Sequence, residues 1–270
     1  MFARWICRYS CAAFIFLLPL PKLSAEITPS PAPANLNEIV RVVAERAAKP
    51  PPLKYLYSKS RVVEELDRRG AVTDRSERQF LVTPIGGLPF SRLLARDGQL
   101  LSPEEAAHQQ DREERFRQRV AAGRAGKPKE IGGVTLTPEL LSALKFTWEG
   151  IDQLNGRKCY VIDLGPSGKK TGITKIDLIL PHASGRAWVD AEDLEAVRLE
   201  LSLKSPVEIA WGLIGKVESF ACTLDRVRLE HDQWVMAKLE GEAAYRKLLS
   251  SKRTRWREEA SAINKAVSLR

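Results

Sequence analysis

The three histidines are the side chains best suited to acid–base chemistry or metal binding in this chain: His108, His182 and His231. They are scattered over a charged helical segment, a loop and a turn, without carboxylates or cysteines at the spacing of metal ligands. The chain also lacks the G-x-S-x-G, H-E-x-x-H, G-x-x-x-x-G-K and G-x-G-x-x-G motifs, which position a nucleophile, a zinc ion or a phosphate group. We therefore predict no metal site and no cofactor.

Carboxylates are abundant, but their pattern does not indicate an enzyme. Most Asp and Glu residues stand beside Arg or Lys, as in the run from Glu64 to Arg69, and such runs are typical of solvated ion-pair faces. No two of these many acidic residues can be identified from the sequence as a glycosidase catalytic pair. We predict a non-enzymatic protein, and an unrecognised acid pair acting on a lipid ester is the weaker alternative.

The N-terminus has the layout of a secretory signal peptide. Arg4 and Arg8 precede an apolar run at residues 11–20, and the stretch Leu23–Ala25 ends in a small residue. The run is about ten residues long, whereas a helix needs roughly 20 to cross a bilayer. We predict cleavage after Ala25 and a periplasmic mature protein, with an uncleaved anchor as the alternative. No cysteine follows the run directly, so the pattern does not predict a lipoprotein signal.

Two of the four cysteines would remain after this cleavage. Cys7 and Cys11 belong to the leader, which leaves Cys159 and Cys222 in an oxidising compartment. An even pair in such a compartment could form a disulfide. Lone cysteines in strands are more often small buried hydrophobic residues, and this alternative stays open.

The composition is globular and mildly basic. The 270 residues are 44% hydrophobic and 29% charged, with a formal net charge of +9. The basic runs at 112–119 and 252–257 are interrupted by acids, and export removes the usual nucleic-acid target, so we predict no nucleic-acid binding. An anionic membrane surface is the better candidate partner for the basic tail.

The start of the mature chain changes from an extended segment to a helix. Residues 26–34 are Pro-rich and polar, which predicts a tether. Apolar residues from Leu36 to Val43 then recur at helical spacing behind Asn35, a candidate N-cap, and the prolines at 50–52 end the helix.

Most of the remaining chain has the pattern of short strands separated by turn pairs. The strands that we predict are 54–67, 72–83, 90–96, 145–154, 157–164, 173–180, 185–190, 197–204, 215–229, 233–241 and 243–256. Asn155-Gly156 is the strongest hairpin signal, because both central positions of a type I′ turn require a positive φ.

A second helix interrupts the strands. Ser102 is followed by a proline and by Glu105, which is the pattern of a capping box that opens a helix ending by Gly123. Almost all of this helix is charged, so we interpret it as a solvated outer helix, with a partner-binding arm as the alternative. Residues 123–133 read as a flexible basic loop and residues 138–144 as a short helical turn.

These elements predict a mainly β (α+β) fold. Few residues separate successive strands, which excludes crossover helices and favours an antiparallel sheet of roughly ten strands. We expect an incomplete barrel wrapped around or closed by a few helices, rather than a two-sheet sandwich. One domain would cover residues 35–257, with 102–133 as an insertion and 258–270 as a C-terminal tail.

Large apolar residues recur along the strands of this sheet. In a packed barrel they are simply core, whereas in an open barrel the same face could hold acyl chains. The candidate cavity-lining residues are Phe90, Phe146, Trp148, Tyr160, Ile162, Trp188, Val197, Leu199, Leu201 and Leu203.

Several segments carry the strand and turn motifs of one known superfamily. They are Gly185–Asp190 (GRAWVD) with Asp193 and Val197–Glu200, Asn155–Arg157 with Tyr160–Asp163, and Pro84–Gly87 with Arg92, Leu93 and Asp97–Gln99. On these residues the chain resembles the LolA-like, outer-membrane lipoprotein-sorting superfamily, in a subgroup with a charged helix after the first strands. The match covers most of residues 54–257.

The resemblance implies an incomplete antiparallel barrel and an apolar cavity. It further implies a carrier or binder of lipoprotein acyl chains or other lipids, in trafficking to the outer membrane. The alternative is a periplasmic sensor or scaffold of the same fold, similar to regulators that bind a signalling partner, acting here through residues 102–122.

Overall fold

The computed structural model describes residues 27–31, 33, 35–124, 138–209, 215–229, 233–247 and 250–265. The predicted leader, most of the predicted basic loop at 123–133, and His231 lie outside these residues. Within them, no helix is both long and apolar enough to cross a membrane.

Strands dominate the described chain. They are β1 (Tyr55–Leu66), β2 (Val72–Ile85), β3 (Leu88–Arg96), β4 (Gln99–Leu100), β5 (Leu144–Leu154), β6 (Arg157–Pro166), β7 (Ala183–Asp190), β8 (Ala196–Leu203), β9 (Val207–Ile209), β10 (Gly215–Arg228), β11 (Trp234–Lys247) and β12 (Ser250–Lys265). All their pairings are antiparallel, in the order β4-β3-β2-β1-β12-β11-β10-β8-β7-β6-β5, with β9 beside β10. The two ends of this order are not joined, so the predicted mainly β fold with an incomplete antiparallel barrel is confirmed.

The β5–β6 hairpin forms at the predicted turn. Asn155 has a φ of 53° and Gly156 a φ of 76°, so both adopt the left-handed conformation. A type I′ turn requires this conformation at both central positions, and its twist matches that of the flanking strands. The turn thus fixes the register in which Leu154 faces Arg157.

Four α-helices accompany the sheet in the described chain: α1 (Leu36–Ala48), α2 (Pro103–Ala121), α3 (Pro138–Ser142) and α4 (Thr174–Ile179). The predicted capping box of α2 is present: the Glu105 amide donates to the Ser102 hydroxyl, and the Ser102 amide donates to the Glu105 carboxylate. Asn35 is the N-cap residue of α1, as predicted, but its side chain makes no capping hydrogen bond. Asn35 caps α1 only through its backbone carbonyl, which accepts from the amides of Glu38 and Ile39.

The strand predicted at 173–180 is wrong, because this segment forms α4 and a 3-10 turn at Leu180–His182. Short apolar runs fit a strand or a helix equally well by periodicity. Here Asp177 decides the local structure: its carboxylate accepts hydrogen bonds from the amides of Thr171 and Gly172, which folds the chain back on itself.

The turn predicted between the strands at 233–241 and 243–256 is misplaced, because residues 242–247 continue the first of these strands. Gly241 marks a close approach to the Trp256 indole and not a turn: a Cβ at Gly241 would lie 2.5 Å from Trp256 Cζ2. β11 therefore continues to Lys247, and β12 continues to Lys265, into the segment predicted as a C-terminal tail.

Helix α1 defines one face of the sheet. Its Ile39 packs against Ile162 of β6 and Val189 of β7, with Phe146 and Tyr160 around this contact. Side chains alternate along a strand, so the neighbouring positions of β6 and β7 point to the other side. We call the side that packs α1 the helix face and the other side the opposite face.

The opposite face has its own smaller core at the end of the sheet nearest the β5–β6 turn. Cys159, Val161, Trp188 and Trp234 are buried together there, and Ile27 packs against them. The adjoining Thr28 pairs with the edge strand β5 through two backbone hydrogen bonds to Ile151, of 2.8 and 3.0 Å, in the segment predicted as a tether. Residues 27–28 are thus docked on the edge of the sheet.

Candidate functional site: the two faces of the sheet

The ten candidate cavity-lining residues do not form one group. Phe146, Tyr160 and Ile162 pack in the cluster beneath α1. Trp148 borders this cluster, with its ring centroid 5.6 Å from that of Tyr160, and its indole N–H donates to the Ser30 carbonyl at 2.6 Å. These four side chains therefore fix α1 and the N-terminal segment on the sheet.

Trp188 and Val197 lie on the opposite face instead. Both belong to the smaller core, and the Trp188 indole donates to Asp152 Oδ2 at 2.8 Å. The guanidinium of Arg198 lies 5.7 Å from the Trp188 ring centroid. The ring is therefore held by a buried hydrogen bond and a cation–π contact, on the side of the sheet away from α1.

Phe90 belongs to the contact between α2 and β3. Its ring centroid lies 5.2 Å from that of Phe116 on α2, and Arg92 and Glu113 form an ion pair of 3.6 Å in the same contact. Helix α2 thus has a packed inner side and, as predicted, a charged outer side. A role in binding a protein partner stays a prediction.

Leu199, Leu201 and Leu203 of β8 lie on the helix face, as part of a larger apolar set. The register places Leu199 beside Leu224 and Leu201 beside Cys222 on β10. Leu224 in turn pairs with Leu239 on β11, and Cys222 with Gly241, which pairs with Trp256 on β12. We call this set the apolar stripe: Leu199, Leu201, Leu203, Cys222, Leu224, Leu239, Gly241 and Trp256.

The apolar stripe is only partly covered. Leu224 is buried, but the three leucines of β8, Leu239 and Trp256 are half-buried. The Trp256 ring lies close to the Gly241 backbone, and its centroid is 5.9 Å from the Phe220 ring centroid. The sequence analysis missed Leu224, Leu239 and Trp256, because their alignment with β8 depends on strand pairing. The alternation of residues along β10 and β11 was the available signal.

A broad open cavity of about 1070 Å³ is lined by residues of nine strands, most of them on the opposite face, together with Leu201, Cys222, Gly241 and Trp256 of the apolar stripe. Its charged lining residues are Glu64, Glu149, Asp163, Glu200, Glu240 and Glu242, with Arg75, Lys145, Arg186, Lys204, Arg255 and Arg257. Acids and bases are equal in number. The Asp163 carboxylate accepts from Arg186 Nε at 2.6 Å, and this hydrogen bond is the main reason why the pKa of Arg186 is raised.

The basic residues of the predicted tail pair with acids on the neighbouring strand. Lys252 and Arg255 of β12 pair with Glu65 and Glu64 of β1, at 3.0 and 2.7 Å. Its positive charges therefore have acidic partners on neighbouring strands. Membrane contact through this segment stays a prediction.

The disulfide left open between Cys159 and Cys222 is not formed, because both cysteines are free. They lie on β6 and β10, three strand spacings apart, which is roughly 14 Å along a sheet and too far for a disulfide. Burial raises the pKa of the Cys159 thiol to about 11, and it also raises the pKa of Cys222. Both thiols thus behave as buried hydrophobic groups, the alternative left open above.

A buried ion pair anchors the end of the sheet beside the β5–β6 turn. Asp190 is 1% exposed, accepts two hydrogen bonds from Arg157, and accepts from the amides of Glu192 and Asp193. Burial acts to raise the pKa of Asp190, but these hydrogen bonds outweigh it, so the pKa lies below its ordinary value. These four donors satisfy both carboxylate oxygens of Asp190, so we assign this residue a structural role.

Among the described residues, no group of three or more His, Cys, Asp or Glu side chains could hold a metal ion. The three histidines do not meet. His182 Nδ1 lies 2.7 Å from the Ser205 hydroxyl, His108 lies on α2, and His231 lies outside the described residues.

Comparison with known proteins gives distant structural likenesses. No family profile and no curated protein matches the chain. A DUF1329 family protein of Desulfovibrio piger is 10% identical, with a TM-score of 0.33 over 87% of this chain and 92% of that one. A protein described as an outer membrane lipoprotein-sorting domain, from Vibrio parahaemolyticus, is 11% identical, with a TM-score of 0.33 over 86% and 93%. The lipoprotein LppX of Mycobacterium tuberculosis is 10% identical, with a TM-score of 0.30 over 86% and 97%.

The subgroup with a charged helical insertion stays a prediction. The function proposed below rests on the two faces of the sheet.

Proposed function

We propose that this protein is an exported, non-enzymatic binder or carrier of acyl chains, from lipoproteins or other lipids, and that the apolar stripe is its binding surface. The observation that carries the proposal is the stripe itself. Leucines, a cysteine and a tryptophan align across β8, β10, β11 and β12 at matched register, and most of them are half-buried.

The shape of the stripe suits an extended hydrocarbon chain. Gly241 has no side chain, so the Trp256 ring can approach its backbone closely, and Leu199, Leu224 and Leu239 lie side by side in the neighbouring row. Each methylene group that leaves water gains about 0.8 kcal/mol, so a chain of a dozen carbons gains enough for stable binding even after ordering costs.

The opposite face does not suit the same ligand. An acyl chain in the charged cavity would take water from the acids and bases without replacing their hydrogen bonds, which is costly. The two faces therefore differ in the ligand they could hold, and the helix face is the one that supports lipid binding.

The test is native mass spectrometry of the protein purified without detergent, followed by solvent extraction of bound molecules. We expect about one lipid or acylated peptide per chain and a loss of that ligand in Leu199→Glu, because a carboxylate would replace an apolar contact. Ser202→Glu is the matched control: it lies on the same strand but lines the charged cavity, and should keep the ligand.

Leu199 neighbours the buried Leu224, so its variant could unfold. Trp256→Ala removes contact area without adding charge and should weaken binding in a protein whose circular dichroism spectrum is unchanged. Folded variants that bind lipid as well as the wild type would refute the proposal.

A wild-type protein that carries no lipid and does not bind added lipid would favour the sensor or scaffold alternative. That alternative is tested by deleting residues 104–122 and measuring the binding of a protein partner.

A further inference from the structure

The connection between β6 and β7 exposes an unusual amount of apolar surface. Seven large hydrophobic residues are exposed in the described chain, and three of them lie in this connection: Ile173 at 45%, Leu178 at 39% and Ile179 at 45%. Such a concentration on one short excursion from the sheet is typical of a contact surface.

The geometry of α4 explains which residues are exposed. Ile176 and Leu180 are four residues apart, so they share one side of the helical turns, and Leu180 is buried against the protein. Leu178 and Ile179 lie on the outer side, where a surface helix normally carries polar residues.

The excursion is held in place by polar contacts, so its exposed side chains are presented by ordered structure. Asp177 Oδ1 accepts from the amide and the hydroxyl of Thr171 at 2.6 and 2.7 Å, and Oδ2 accepts from the Gly172 amide at 3.1 Å. At its other end, the His182 carbonyl accepts from the Lys204 amide at 2.7 Å.

The charges around the apolar centre are basic. Lys169, Lys170 and Lys204 are exposed next to these contacts. Asp177 is the acid of the segment from Lys169 to His182, and its carboxylate accepts hydrogen bonds from Thr171 and Gly172. The outward surface therefore combines an apolar centre with a cationic rim.

We propose that α4 and its flanking lysines form a membrane-contact site, which inserts Ile173, Leu178 and Ile179 at the surface of a bilayer of anionic phospholipid. Interfacial segments combine apolar side chains at the boundary of the acyl chains with Lys or Arg at the headgroups. The arrangement brings the protein to a bilayer surface, and it is separate from the apolar stripe.

The test is co-sedimentation of the purified chain with vesicles of phosphatidylethanolamine and phosphatidylglycerol, after mass spectrometry has identified its N-terminus. Each variant is compared with the wild type in the same processed form, so a retained leader contributes equally to both. We expect Leu178→Ser with Ile179→Ser to weaken vesicle binding at least about tenfold, because two apolar anchors are lost.

Matched controls are Val72→Ser and Leu100→Ser, which remove exposed apolar side chains at other sites and should leave binding unchanged. Lys169→Glu with Lys170→Glu should weaken binding to anionic vesicles, and added salt should weaken wild-type binding. The α4 variants should still copurify with lipid in the native mass spectrum, which separates this site from the stripe.

Three results would overturn the proposal. The first is wild-type binding by the doubly substituted α4 variant. The second is equal wild-type binding to vesicles of phosphatidylcholine alone, which would exclude the anionic headgroup. The third is a concentration-dependent dimer that the α4 variants abolish while vesicle binding is absent, which would make a second copy of the chain the occupant.

Discussion

The helix face and the opposite face are built from the same strands, yet they are stabilised in different ways. Adjacent residues of β6 illustrate this: Ile162 is 2% exposed beneath α1, whereas Asp163 pairs with a half-exposed Arg186 beside the cavity. Stability on the first face comes from apolar burial, and the second face satisfies its charges locally. The opposite face can therefore stay open to water at little cost, while openness on the helix face leaves apolar surface available for a ligand.

The largest expected difference lies between these two neighbours on β6. Ile162→Ala should lower the free energy of unfolding by about 2–5 kcal/mol, because it leaves a cavity beneath α1. Asp163→Ala removes an ion pair in a solvated cavity and should cost about 1 kcal/mol or less. Urea denaturation of both variants measures the contrast, and equal losses would show that the faces do not differ as described.

A second substitution sharpens the account of the stripe. Gly241→Ala would place a Cβ 2.5 Å from Trp256 Cζ2 and 2.6 Å from the Ala221 carbonyl oxygen. We expect a loss of about 1–3 kcal/mol in the free energy of unfolding, because the stripe is closely packed at this point. Combining it with Trp256→Ala should recover part of the loss; purely additive losses in thermal unfolding would contradict the ring's position.

Acid should act on the buried pair at the end of the sheet. The folded-state pKa of Asp190 is lowered, so its stabilising contribution is present above the ordinary Asp pKa and is lost as the pH falls through the folded value. We expect the free energy of unfolding to decrease when the pH is lowered below about 4. Asp190→Asn should be less stable at neutral pH and should show a smaller further loss in acid, measured by denaturation across the pH range.

The smallest effect is expected among the ion pairs of the opposite face. Arg255 is half-exposed and pairs with Glu64 across β12 and β1. Arg255→Ala should change the free energy of unfolding by about 0.5 kcal/mol, and high salt should reduce even that difference. A loss as large as that of Ile162→Ala would mean that the charged network supports the fold as strongly as the apolar core.

Much of the fold could be predicted because its signals are local. The alternation of Leu199 and Leu201 with polar residues predicts a strand with two unlike faces, and Asn155-Gly156 predicts the β5–β6 hairpin. Val197 departs from this alternation, because a register shift beside Trp188 places it on the opposite face. The capping box at Ser102 was equally local. The strand prediction for 173–180 was wrong because a short apolar run fits the period of a helix as well as that of a strand. The hydrogen bonds of Asp177 determined the structure of this segment.

The composition of the candidate site depended on which strands pair, and the sequence of a single segment does not contain that information. By itself the sequence determined which residues of a strand share a face, since alternation follows from backbone geometry. Only the tertiary structure decided which face α1 would cover and which strands would be neighbours. Glu64 meets Arg255, and Leu201 is aligned with Trp256 across β8, β10, β11 and β12, through pairings of distant segments. Such pairings are set by the closure of long loops and the burial of the whole sheet, so no local pattern encodes them.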